Sequence, residues 1–207
     1  WTTDYYGIIP RLAALISKKD QVTFIVGDQH HDQESIRGII QSLNGNPDHI
    51  QFVKVNQALD NIWIRDFGPV YMINRAGERK LIKFNYFWSD YDFIEDLAST
   101  LAIPVVQSPI NSTGGSREVN GKGTMILCEA HEMDVNRGKS KEEIEKEMRD
   151  KLGQKKIIWL KQGIPQDDSF LSGPLYENIY PKGVHGHVDE FCRFVDESTI
   201  LISSVSE

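Results

Sequence analysis

The sequence predicts an α/β protein whose small sheets are arranged radially, as in a propeller, and three observations predict it. Helix-period and strand-like segments alternate along the chain. Three β-hairpins interrupt that alternation, over 70–84, 116–129 and 191–204. Each hairpin is preceded by a short polar motif containing glycine: Trp63-Ile64-Arg65-Asp66-Phe67-Gly68-Pro69, then Thr113-Gly114-Gly115, then His185-Gly186-His187-Val188-Asp189-Glu190. The first two hairpins are each followed by a helix and a strand, so the unit is motif, hairpin, helix, strand. Repetition that returns its polar motif to the same point gathers the motifs around a common axis, with helices outside.

Taken in order, residues 5–18 have a helical period, with Pro10 awkwardly inside it, and lead to a strand at 21–26. Ile36, Ile39, Ile40 and Leu43 share one face of a helix over 35–43. Asn44-Gly45-Asn46-Pro47 breaks the chain before a strand at 50–55. The first hairpin turns at Ala76-Gly77, and a helix over 90–101 carries Phe93, Ile94, Leu97 and Leu101 on one face. The second hairpin turns at Asn120-Gly121. Ser140 and Glu143 then form a capping box for a helix to Leu152, with Ile144, Met148 and Leu152 as its stripe. The apolar strand 157–160 follows, and the third hairpin turns near Asp196-Glu197-Ser198.

Composition removes several classes of function. Of 207 residues, 40% are hydrophobic and 26% charged, which is too apolar for a disordered chain. No apolar run approaches the roughly 20 residues of a membrane-spanning helix. The net charge of −7 argues against nucleic acid or an anionic membrane as a partner. Two cysteines, Cys128 and Cys192, are no disulfide framework; both read as inert strand residues in a reducing cytoplasm. The chain opens at Trp1 rather than Met, so a segment upstream is expected.

Asp66 sits between Trp63 and Phe67, and a carboxylate in such a setting needs a cation. Read as a strand, the segment points Arg65 to the opposite face, so a bound substrate would supply that cation. His187 and Asp189 share one face of an extended chain, and His185 has the same parity. Two chemistries fit. His187 is a general acid/base with Asp189 holding a cationic group, or His185, His187 and Asp189 bind a metal as in metallo-β-lactamase-like hydrolases. Thr113-Gly114-Gly115 admits close approach of backbone to a ligand, or positive φ.

The three motifs together, with Glu118-Val119-Asn120-Gly121-Lys122-Gly123-Thr124 after the paired glycines, resemble agmatine deiminases and bacterial-type peptidyl-arginine deiminases. The stretch 139–160 is also similar to that family. The resemblance implies the pentein fold, a five-bladed α/β propeller, over a single domain spanning 1–207 with an incomplete set of blades. It implies hydrolysis of a guanidinium to a ureido group and ammonia, with no metal or organic cofactor. Asp66 and Asp189 would grip the guanidinium, a cysteine thiolate would attack its carbon, and His187 would move the protons. Trp63 and Trp88 would line the approach, alongside Thr113, Gly114 and Gly115. The family's cysteine lies near its C-terminus, beyond residue 207, so neither Cys128 nor Cys192 is assigned to it, and the chain alone is expected to be inactive.

Thr113 stands where agmatine deiminases have glutamate, which leaves agmatine and peptidyl-arginine both open as substrates. A homo-oligomer is compatible with the sequence. A pentein that binds an arginine-like ligand without turning it over is the alternative from another class.

Overall fold

The computed structural model describes residues 2–27, 33–55, 63–86, 93–164, 174, 177–178, 184 and 186–203. The chain divides into two compact units, residues 1–62 with 92–103, and residues 63–91 with 104–207.

In the first unit, α1 (Thr2–Ser17) runs through Pro10, whose missing N–H removes one helical hydrogen bond. Strand β1 (Val22–Val26), helix α2 (Gln33–Ser42) and strand β2 (Ile50–Lys54) form a β-α-β crossover, with β1 and β2 parallel and Phe24 opposite Phe52. Ala13, Ala14, Ile40 and Ile50 are its buried centre. The breaker before β2 is a turn of 3₁₀ helix, Pro47–His49, capped by the Asn46 side chain. Ile39, expected on the buried face of α2, is exposed. The described part of the expected helix over 90–101 is α4 (Phe93–Leu101), which packs on β2 and buries Phe93, Ile94, Leu97 and Ala98.

The second unit holds the repeat. Strands β3 (Val70–Ile73), β4 (Arg79–Asn85) and β5 (Val105–Asn111) form one three-stranded sheet; β6 (Arg117–Val119), β7 (Thr124–Cys128) and β8 (Lys156–Leu160) form another. In each, the first pair is an antiparallel hairpin and the second pair is parallel across a helical connection. Strands β9 (Cys192–Phe194) and β10 (Ile200–Ile202) make the third hairpin. One device sets all three tips. Asn74 Oδ1 accepts the N–H groups of Ala76 and Glu78, Asn120 Oδ1 those of Lys122 and Thr124, and Asp196 Oδ1 those of Ser198 and Thr199.

Strand β7 is buried on both faces, which explains its unbroken apolar run. Met125 and Leu127 pack with Ile82, Phe84, Ile110 and the Ile144, Met148 and Leu152 stripe of α6 (Lys141–Leu152). Ile126 and Cys128 pack on the other side with Val188 and Cys192. Helix α6 begins as the sequence requires: Ser140 Oγ accepts the Glu143 N–H, and Glu143 Oε2 accepts the Ser140 N–H at 2.7 Å. Replacing Ser140 with alanine is expected to cost about 1 kcal/mol, read as a lower midpoint in urea denaturation. An unchanged midpoint would show that the cap is redundant.

Three short elements depart from expectation. Residues 64–67 are not a strand but one helical turn, α3 (Ile64–Phe67), which Pro69 then stops. Residues 188–190 are a turn of 3₁₀ helix, not an extended run. Between β7 and α6 lies a seven-residue helix that the sequence pattern did not reveal, α5 (Glu129–Val135). It is tied to β5 by Asn136, whose side chain accepts the Asn111 N–H, donates to the Asn111 carbonyl, and donates to the Glu132 carbonyl.

Candidate active site

The three polar motifs meet in the second unit. The α3 turn forms because the Asp66 N–H donates to the Trp63 carbonyl at 2.8 Å and the Gly68 N–H to the Ile64 carbonyl at 2.9 Å. The turn is then pinned to the glycine motif, as the Gly114 N–H donates to the Asp66 carbonyl. The glycine motif is pinned in turn to the histidine motif, because the Asp189 N–H donates to the Gly115 carbonyl at 3.2 Å.

At the junction, Asp66 Oδ1 accepts the Gly115 N–H at 3.0 Å and lies 3.6 Å from His187 Nδ1. His187 Nε2 is 3.2 Å from Thr113 Oγ1, and the His131 ring of α5 stands edge-on to the His187 ring at 5.8 Å. The imidazole is thus held on three sides and retains 12% of its side-chain exposure, against 11% for Asp66. Both are close to solvent yet oriented, as an acid/base pair requires.

The paired glycines do not take positive φ here. They are needed for close approach, and the groups approaching belong to the protein itself. A Cβ on Gly114 would lie 1.7 Å from the Arg65 carbonyl oxygen; one on Gly115 would lie 2.3 Å from His187 Nδ1 and 2.8 Å from Asp66 Oδ1. Gly186 likewise lies against Cys128, whose Sγ would be 2.8 Å from an added Cβ.

Arg65 does not neutralise Asp66, but it has another carboxylate. Its Nε donates to Asp189 Oδ2 at 3.2 Å, and a second nitrogen lies 3.7 Å from Glu118. Glu118 also takes Arg193 Nε at 3.1 Å and the Phe194 N–H at 2.9 Å. Asp189 therefore faces Arg65 rather than sharing a face with His187, and the 3₁₀ turn is what separates them. A cavity of about 380 Å³ opens beside this group, lined in part by Arg65, Arg117, Glu118 and Arg193. Three arginines against one glutamate suit an anion, so a guanidinium would not settle there.

Trp63 is about half exposed, while Thr113 is buried. Trp88 and His185 lie outside the described residues. Among the described residues, no group of three or more His, Cys, Asp or Glu is placed to hold a metal ion. Neither cysteine has the setting of a reactive thiolate. Both are buried, and burial together with the charge of Glu118 pushes the Cys192 thiol up.

Several polar residues near the site were not anticipated. Glu132 is fully buried on α5, with Ser116 Oγ 2.7 Å and Ser112 Oγ 3.5 Å from its Oε1. Burial raises its carboxyl to about 7, against the hydroxyl bonds and the charge of Arg117, which pull the other way. Arg117 stacks on Phe84 at 4.3 Å and is lowered to about 10, first by burial. A seven-residue helix is too short to display a periodic pattern, so the sequence does not mark His131 and Glu132 as buried.

Solved structures share this architecture. The agmatine deiminase of C. jejuni, a cysteine-to-serine variant with substrate bound, matches 95% of this chain and 55% of its own, with TM-score 0.70 and 22% identity. That of Enterococcus faecalis matches 96% and 52%, with TM-score 0.73 and 22% identity. Among curated proteins, the agmatine deiminase of Medicago truncatula is 26% identical over 95% of this chain and 52% of its own length. That of Pseudomonas fluorescens is 30% identical over 72% and 41%. The chain thus spans about half the length of these relatives or less. Residues 3–207 match the Porphyromonas-type peptidyl-arginine deiminase family, and the chain belongs to that family.

Proposed function

We propose that these residues form the guanidinium-gripping and proton-transfer part of a guanidino-group deiminase acting on agmatine or peptidyl-arginine. The observation that carries the reading is the convergence of Asp66, Gly115 and His187 from three separate motifs, packed so closely that only glycine fits between acid and imidazole. A guanidinium is planar, with a fork of N–H donors suited to carboxylates. Asp66 accepts from one edge. Asp189 accepts from the other while Arg65, bonded to Oδ2 alone, fixes its orientation.

A cysteine thiolate attacks the guanidinium carbon, forming the C–S bond of a tetrahedral intermediate. His187 protonates one nitrogen, the C–N bond breaks, and ammonia leaves an amidino-thioester. His187 then takes a proton from water, which adds to the same carbon. The C–S bond breaks to release the ureido product and regenerate the thiolate. The setting of Cys128 and Cys192 makes both unsuitable, so the thiolate comes from another part of the whole protein. The cysteine-to-serine change in the substrate-bound C. jejuni relative supports that role for a cysteine. The two like-ordered sheets support a five-bladed propeller in the whole protein.

The test is intact-mass analysis and ammonia release by the whole protein with agmatine, free arginine and an arginyl peptide. A ureido product, gaining about one mass unit on the guanidine, is expected with at least one. Asp66→Asn and Asp189→Asn should each weaken substrate binding about tenfold to hundredfold, by loss of a charge-assisted bond, and lower turnover as well. Binding without turnover in the wild-type protein would make it an arginine-like-ligand binder instead. Wild-type affinity in both variants would remove the clamp.

A further inference from the structure

Glu132 takes no part in the chemistry above, yet it is a fully buried carboxyl one residue from His131, whose ring packs on His187. Its surroundings pose a counting problem. Ser116 Oγ lies 2.9 Å from the Thr113 carbonyl and 2.7 Å from Glu132 Oε1, and a hydroxyl has one proton. A carbonyl cannot donate. Both contacts are hydrogen bonds only if the second proton sits on Glu132, whose O–H donates to Ser116 while Ser116 donates to Thr113.

The chain of bonds then continues to the site. The Ser116 N–H donates to Thr113 Oγ1 at 3.3 Å, and that oxygen lies 3.2 Å from His187 Nε2. We infer that Glu132, in its protonated form, is a positioning residue that fixes the orientation of His187, because it lets Ser116 hold the Thr113 turn whose hydroxyl oxygen meets the imidazole. The inference rests on the proposed deiminase reaction for its kinetic test, but its structural content does not.

Ionising Glu132 reverses the chain. Ser116 must then donate to the carboxylate, the Thr113 carbonyl loses its donor, and a negative charge appears behind the histidine. The other charged or titratable groups around this chain are Arg117 from β6, whose charge favours the ionised carboxylate but is outweighed by burial, His131 from α5, and Asp66 and Arg65 from α3. Burial keeps the carboxyl protonated up to about pH 7, so the arrangement holds at and below neutrality.

The whole protein with Glu132→Gln and Glu132→Leu provides the test. Gln can donate to Ser116 at every pH; Leu cannot. Leu should lower kcat about tenfold with KM within twofold of wild type, because Glu132 does not touch substrate, and Gln should restore most of the loss. The fall in kcat that wild type shows above about pH 7 should move to higher pH in Glu132→Gln. A wild-type profile with no such fall, a fall that Gln leaves in place, or a Gln variant no better than Leu overturns the inference. If wild type turns over no guanidino compound, the function is wrong and NMR of the histidine ring nitrogens decides the positioning. His187 shifts that follow a carboxyl titration near pH 7 in wild type and not in Glu132→Gln sustain it. Identical His187 titrations in the two proteins overturn it.

Discussion

Replacing Gly115 with alanine is expected to reduce guanidine turnover by the whole protein at least about a thousandfold. The added Cβ would meet His187 Nδ1 at 2.3 Å, Asp66 Oδ1 at 2.8 Å and His187 Cε1 at 2.9 Å, all inside the closest approach that real methyl groups make. Something has to move, and neither neighbour is free to. The imidazole is bonded to Thr113 and backed by His131; the Asp66 turn is held through its own carbonyl by Gly114. A displacement of about 1 Å in a reacting group costs on the order of a hundredfold, and here two groups shift together. Overpacking should also cost about 1–3 kcal/mol of stability. Gly38→Ala on α2 is the control, since nothing lies within 4 Å of its added Cβ and alanine favours a helix. Kinetics with both variants check this; Gly115→Ala within tenfold of wild type would mean that the acid and the imidazole do not act together.

Stability should fall between pH 5 and pH 8 by an amount that Glu132→Gln removes. The Glu132 carboxyl is raised from 4.5 to about 7 in the folded protein, chiefly by burial. Between those values the folded state keeps a proton that the unfolded chain has lost. Its contribution is therefore complete below pH 4.5 and disappears as pH rises through about 7. A shift of this size corresponds to about 3 kcal/mol. Other titrating groups contribute to both proteins alike, so the difference between two sets of urea midpoints isolates this one. Arg117, lowered to about 10, acts in the opposite sense and only in the alkaline range, where folding gains as pH rises. Parallel stability profiles in the two proteins would mean that Glu132 is ionised when folded.

Much of the fold can be seen in the residue pattern because its elements are locally determined. The hairpin tips have an Asn or Asp whose side chain builds the turn, and Ser140 with Glu143 starts α6 without outside help. The unbroken apolar run of β7 marks a strand packed on both faces. The site was legible as a set of residues and not as a geometry. Asp66, Thr113, Gly115 and His187 do converge, but residues 64–67 and 188–190 close short local turns where an extended run was expected, and bonds to the glycine motif tie both turns in place. Period-two logic kept Arg65 away from Asp66 but put Asp189 on the face of His187, whereas Asp189 pairs with Arg65 across 124 positions. Glu132 was invisible because burial, which gives it its chemistry, is a property of the assembled unit.

The pins between the motifs also bear on how the protein reaches its working state. The Asp66–Gly115 bond joins residues 49 positions apart, and the Thr113–His187 contact spans 74. Each closes a loop of tens of residues, so its loop-closure entropy opposes the pairing until the bond is made. Helices and hairpins formed singly do not make these pairings, which join separate motifs. Secondary structure alone is therefore no measure of competence at this site.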